Sequence, residues 1–231
     1  MAEKTPNALR FGILSTAAIN PAALVRPAET HPDVLLYGIA SRNYEKARAY
    51  AKKYGFSKAY ASYQELLEDP DIDAVYVSLP NGMHYEWAAK ALDAGKHVLL
   101  EKPFASNADE ARALAAAADR TRNVCEEALH WQFHPAAHVV DTLVSSGRYG
   151  RVVSTHARMA VPQGAIPKSD IRWRYELAGC VPPSIFVLPT RAVLTGCVGR
   201  HQQRRLDGHG VRAVGHPLLL ARPQAGVCHA G

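Results

Sequence analysis

Over roughly the first 130 residues, short apolar runs alternate with longer stretches in which apolar residues recur every three or four positions. Runs 9–15, 34–41, 59–60, 74–79, 97–100 and 123–126 read as strands. A helix is expected after the first run to about residue 29, and others over 44–54, 63–68, 83–94 and 108–118. The period switches from two to 3.6 at each boundary, which is the signature of βαβ units building a parallel sheet. No repeat recurs at the spacing of a solenoid. The fold class expected is therefore α/β, a doubly wound parallel sheet of the Rossmann type, followed by a truncated α+β domain. Further on, a helix over 135–146 and a strand over 151–159 are expected.

Charge and composition divide the chain. Of 27 Lys and Arg and 21 Asp and Glu, residues 1–179 hold 21 and 20, whereas residues 180–231 hold six Arg, no Lys and only Asp207. All ten tyrosines precede residue 180. The basic character thus belongs to the tail and is not a nucleic-acid footprint of the whole protein. Residues 180–231 read either as a low-complexity basic extension or as a segment translated out of its proper frame. The expected organisation is a dinucleotide-binding domain over 1–125, the beginning of a substrate domain over 126–179, and a basic low-order tail over 180–231. No apolar run is long enough to span a membrane, and the N-terminus lacks the apolar stretch of a secretory signal, so a cytoplasmic location is expected. Four cysteines without a C-x-x-C pair make neither a disulfide framework nor a zinc site. Cys180, Cys197, His201 and Cys228 match no zinc spacing, so no metal is expected. Arg204 and Arg205 could meet RNA, but Phe186 is the tail's only aromatic residue for base stacking.

In a doubly wound sheet, ligands bind beyond the carboxyl ends of the strands. After the first run stands Ser15-Thr16-Ala17-Ala18-Ile19-Asn20, where G-x-G-x-x-G would let a pyrophosphate approach the backbone. Small residues occupy the glycine positions. After the second run, where an acid would accept from the ribose of NAD, stand Ser41 and Arg42. A guanidinium and a hydroxyl suit a 2′-phosphate, so NADP is expected over NAD. The fourth run leads into Leu79-Pro80-Asn81-Gly82-Met83-His84, and the fifth into Glu101-Lys102-Pro103. A lysine fixed by a following proline can aim its ammonium into the cleft and ease deprotonation of a substrate hydroxyl. Asn81 and His84 are expected to line the nicotinamide and substrate end of the cleft. Cys125 reads as a core residue.

These runs resemble the glucose–fructose oxidoreductase and inositol dehydrogenase family. Within it, the likeness is to the branch of dimeric dihydrodiol dehydrogenases and NADP-dependent D-xylose 1-dehydrogenases. It is carried by Gly12-Ile13-Leu14-Ser15-Thr16-Ala17, Ala40-Ser41-Arg42, Pro80-Asn81-Gly82-Met83-His84, Glu101-Lys102-Pro103-Phe104-Ala105 and Glu127-Ala128-Leu129-His130-Trp131-Gln132-Phe133-His134-Pro135. Gly147-Arg148-Tyr149-Gly150 continues it, and the likeness covers residues 9–179. The resemblance implies a sugar or dihydrodiol substrate, Lys102 as the catalytic residue, and Gly12 and Leu79 beside the cofactor. It also implies an open-sheet second domain that forms the substrate pocket and the dimer face. Trp131, His134 and Trp173 could line such a pocket; ordinary packing explains the tryptophans as well. Family members often carry Arg where this chain has Gln132. They continue past the equivalent of Gly179 into a helix bearing an Asp or Tyr that faces the lysine. Here Cys180-Val181-Pro182-Pro183 follows, and no tyrosine lies beyond. The expectation is a competent cofactor site, no closed substrate pocket, no dimer sheet and little turnover; the alternative is an inactive dinucleotide-binding remnant.

Overall fold

The computed structural model describes residues 2–154, 166–167, 169–174 and 177–178. Six strands form one sheet: β1 (Leu9–Leu14), β2 (Val34–Ala40), β3 (Lys58–Tyr60), β4 (Ala74–Val77), β5 (His97–Leu100) and β6 (Cys125–Glu127). All neighbouring strands pair in parallel, in the order β3-β2-β1-β4-β5-β6. The order reverses between β1 and β4, the switch point at which a doubly wound sheet opens a crevice.

Because successive strand residues face opposite sides of the sheet, each strand supplies both layers of the core. Leu14, Ala40, Val75, Val77, Val98 and Leu100 face one layer, with α3 (Tyr63–Glu68), α4 (His84–Asp93) and α5 (Ala108–Thr121) packed over them. Ile13, Ile39 and Tyr76 face the other layer. That side is covered by a π-helical turn (Pro21–Val25) running into α1 (Arg26–Thr30), and by α2 (Tyr44–Tyr54). Helix starts follow from local chemistry. The side chains of Asn43, Ser62 and Asn107 accept backbone N–H bonds at the first turns of α2, α3 and α5, and Gly55 ends α2 at φ 75°.

Two expectations shift. β4 stops at Val77 rather than residue 79, because its pairing with β1 and β5 ends there. β6 begins at Cys125, set by its register with Val98. Beyond the sheet, α6 (Pro135–Ser145) forms as expected, capped by His134. Residues 151–154 carry no strand, and the rest of the strand expected over 151–159 lies outside the described residues. So do the calls made on the tail, including its cysteines and Arg204-Arg205. Cys125 packs against the core, and burial pushes its thiol up to about 12. Among the described residues no helix is long and apolar enough to cross a membrane.

Candidate functional site: a dinucleotide cleft at the strand ends

The sheet register fixes where the candidate residues meet. Leu14 of β1 is level with Ala40 of β2 and Val77 of β4, and Val77 with Leu100 of β5. Four strands therefore end together, delivering Ser15, Ser41-Arg42, Ser78 and Glu101-Lys102 to one edge.

The β1 turn is built on Ser15, a non-glycine residue at φ 108°. Its Oγ donates to Ser78 O at 3.0 Å, lies 3.0 Å from Ser78 Oγ, and accepts the Ala17 N–H at 3.2 Å. These bonds fasten the β1 loop to the end of β4. Ser78 was not among the sequence candidates; a serine within the apolar run over 74–79 was the only signal. Asn20 is fully buried and donates from Nδ2 to Ser15 O at 2.9 Å, while its Oδ1 is buried without a partner. Tyr50 Oη is likewise buried and unpaired, and burial pushes it up to about 12. Among the described residues, the backbone N–H groups of Thr16, Ala18 and Ile19 have no acceptor. Three unsatisfied N–H groups leading into a helix start are the donor set a pyrophosphate needs, so the loop fits a dinucleotide.

At the end of β2, Ser41 is buried and accepts the Asn43 N–H through Oγ at 3.3 Å. Arg42 is exposed and lies near Tyr63 of α3. Burial raises the Tyr63 hydroxyl, and the neighbouring guanidinium pulls it partly back.

At the end of β5, Lys102 is exposed, its bond to Pro103 is cis, and its ammonium has no ion-pair partner among the described residues. The Glu101 carboxylate is held from two sides: Tyr76 donates to Oε1 at 2.6 Å and Lys102 N donates to Oε2 at 3.2 Å. Burial and the adjacent carboxylate push the Tyr76 hydroxyl upward. Leu79 is buried beneath the β4 loop. Beside Pro80, Asn81 donates through Nδ2 to Ala178 O at 3.2 Å, and a Cβ on Gly82 would come 3.1 Å from the Leu177 carbonyl carbon. Residues 177 and 178 therefore lie against this loop.

The structure corrects two expectations. His84 does not line the cleft. It is fully buried, with Nε2 2.8 Å from Leu79 O and Nδ1 2.7 Å from Pro103 O. Its place in the first turn of α4 turns the ring under the two loops, with a backbone carbonyl from each loop within hydrogen-bond distance of a ring nitrogen, and a neutral imidazole donates to one of them. Gly12 is no cofactor contact either. It sits inside β1, where a Cβ would meet Leu66 Cδ2 at 2.8 Å and Ile72 Cδ1 at 3.1 Å. Its missing side chain admits the α3 layer. Trp131 and His134 stack at 5.0 Å between ring centroids, whereas the Trp173 indole donates to Pro167 O within its own segment.

Comparison with known proteins agrees with this architecture. The family model described as "oxidoreductase family, NAD-binding Rossmann fold" matches residues 9–129. A D-xylose 1-dehydrogenase (NADP(+)) of Haloferax volcanii is 39% identical over 173 residues, which is 74% of this chain and 52% of that protein. A dTDP-3,4-didehydro-2,6-dideoxy-alpha-D-glucose 3-reductase of Streptomyces violaceoruber is 38% identical over 97% of this chain and 66% of its own length, an alignment that continues past Gly179. The crystal structure of KijD10, a 3-ketoreductase from Actinomadura kijaniata in complex with NADP and TDP-benzene, is 32% identical, with a TM-score of 0.65. It covers 75% of this chain and 52% of that one. The chain spans about half the length of the first curated relatives it matches, 43% to 54%. With the β3-β2-β1-β4-β5-β6 sheet and the loop chemistry at its switch point, these matches establish that the chain belongs to the Gfo/Idh/MocA family of oxidoreductases, through its NAD-binding Rossmann fold.

Proposed function

We propose that this chain binds NADP and serves hydride transfer at a hydroxyl or carbonyl carbon of a sugar or dihydrodiol, with Lys102 as the catalytic residue. The observation that carries the reading is the edge at which β1, β2, β4 and β5 end level, bringing the Ser15 loop, Arg42 and Lys102 together. The Thr16, Ala18 and Ile19 N–H groups would hold the pyrophosphate, and Ser41 with Arg42 the 2′-phosphate. Glu101, Leu79, Pro80 and Asn81 would border the nicotinamide half. When bound, the nicotinamide supplies the redox chemistry. Lys102 orients the substrate oxygen and takes or returns its proton. The names of the relatives support a sugar-type substrate, since a xylose dehydrogenase, a deoxysugar 3-reductase and trans-1,2-dihydrobenzene-1,2-diol dehydrogenases are among them.

Binding without turnover is the second reading. The substrate candidate Trp131 and its neighbour Phe133 are 62% and 68% exposed, and Val139, Val140, Leu143 and Val144 of α6 are exposed. The two readings separate by assaying NADP reduction with aldoses and with trans-dihydrodiols, alongside Lys102→Ala. Turnover lost in Lys102→Ala with NADPH affinity kept supports the enzyme. NADPH binding without turnover on either class supports the second reading.

A further inference from the structure

Tyr76 lies in the middle of β4, is completely buried, and is level with Leu99 of β5 and Ile13 of β1. Leu99 faces the same core layer, so Glu101, two residues further along β5, returns to that face one step diagonally from Tyr76. This pleat geometry lets a hydroxyl rooted in the core reach a carboxylate at the rim of the cleft. The bond is 2.6 Å long, joins residues 25 apart, and both groups are shielded from water, with the Glu101 side chain 11% exposed. The carboxylate's other oxygen accepts the N–H of Lys102. His130 Nε2 stands 3.7 Å from Oε1 on a side chain that is 61% exposed, so it does not anchor the group. Leu99 is apolar and cannot share the task.

From this chain of contacts we infer that Tyr76 is a positioning residue: its hydroxyl fixes the Glu101 carboxylate, which in turn holds the backbone of Lys102 at the cleft. The inference rests on the cofactor and catalytic roles proposed for Glu101 and Lys102. Tyr76 occupies Oε1 and the Lys102 N–H occupies Oε2, which leaves each carboxylate oxygen a lone pair for a further donor. A charge-assisted bond in a water-poor site holds such an orientation far better than an exposed one.

The test uses the full chain and Tyr76→Phe, which keeps the ring and removes the hydroxyl. Hydrogen exchange followed by NMR on the ligand-free protein should show the Lys102 amide exchanging about tenfold faster. The Glu101 amide, bonded to Val77 O at 3.0 Å within the sheet, should be unchanged. Glu101→Asp, which withdraws the carboxylate from Tyr76, should do the same and serves if the Phe variant fails to fold. NADPH affinity should fall about tenfold in Tyr76→Phe. Faster exchange in a chain that never binds NADPH would uphold the positioning role and overturn the proposed cofactor. An unchanged Lys102 amide in both variants would overturn the positioning role itself.

Discussion

Ser15 occupies a backbone conformation that favours glycine, and two substitutions separate what its backbone costs from what its side chain contributes. At φ 108° a side-chain-bearing residue carries strain of about 1–3 kcal/mol. Against that, the hydroxyl bonds Ser78 and Ala17 at 3.0 to 3.2 Å. These part-buried contacts are worth about 1 kcal/mol each at most. Ser15→Ala removes the hydroxyl and keeps the strain. Ser15→Gly removes the hydroxyl and releases the strain, at about 0.5–1 kcal/mol of added freedom in the unfolded chain. Both variants lose the same bonds, so their difference isolates the backbone: the Ser15→Gly chain should be more stable than the Ser15→Ala chain by about 1 kcal/mol, within a range of about 0–2.5 kcal/mol. Urea unfolding followed by far-ultraviolet circular dichroism measures this, and thermal midpoints should differ by roughly 2–4 °C per kcal/mol. A Ser15→Ala chain more stable than the Ser15→Gly chain would refute the claim that the turn is strained.

Three further outcomes are expected. Gly12→Ala should cost about 1–3 kcal/mol, because Leu66 and Ile72 are buried and have nowhere to retreat, yet leave NADPH affinity within a few-fold, as titration of the same protein would show. Asp69 is drawn down to about 2; burial works to raise it, but donation from Tyr60, Lys58 and the Asp71 N–H outweighs that. Its folded value lies below the unfolded 3.8, so its contribution is complete above that value and disappears as the pH falls through about 2. Asp69→Asn should therefore flatten the acid limb of stability between those values, seen by unfolding at a series of pH values. His84→Ala should raise amide exchange in both the 79–83 and 101–104 loops, because the buried ring is wedged between Leu79 O and Pro103 O; exchange confined to one loop would contradict that role.

Much of the sheet was legible because its strands are short apolar runs separated by helices of clear 3.6 period, and the strand-end motifs share one edge of it. What escaped was set by three-dimensional register. Nothing along the chain distinguishes Gly12 as a packing glycine from a loop glycine one turn later; only the side chains of Leu66 and Ile72, more than fifty residues on, decide it. His84 reads as a first-turn polar residue until α4 places its ring between two carbonyl groups. Tyr76 hides within an apolar strand, since its hydroxyl matters only once β5 lies alongside and Glu101 returns to the same face. Ser78 was lost for a related reason. It lies within an apolar run, and its role appears only when Ser15 folds against it.

The central claim is a dinucleotide cleft whose β2 edge prefers a 2′-phosphate. Fluorescence titration of the intact chain with NADPH and NADH, repeated on Arg42→Ala, tests it most directly. Micromolar NADPH binding, much weaker NADH binding, and loss of that preference in Arg42→Ala are the expected results. Equal affinity for the two cofactors, or a preference that survives Arg42→Ala, would contradict the assignment of Ser41 and Arg42 to the 2′-phosphate.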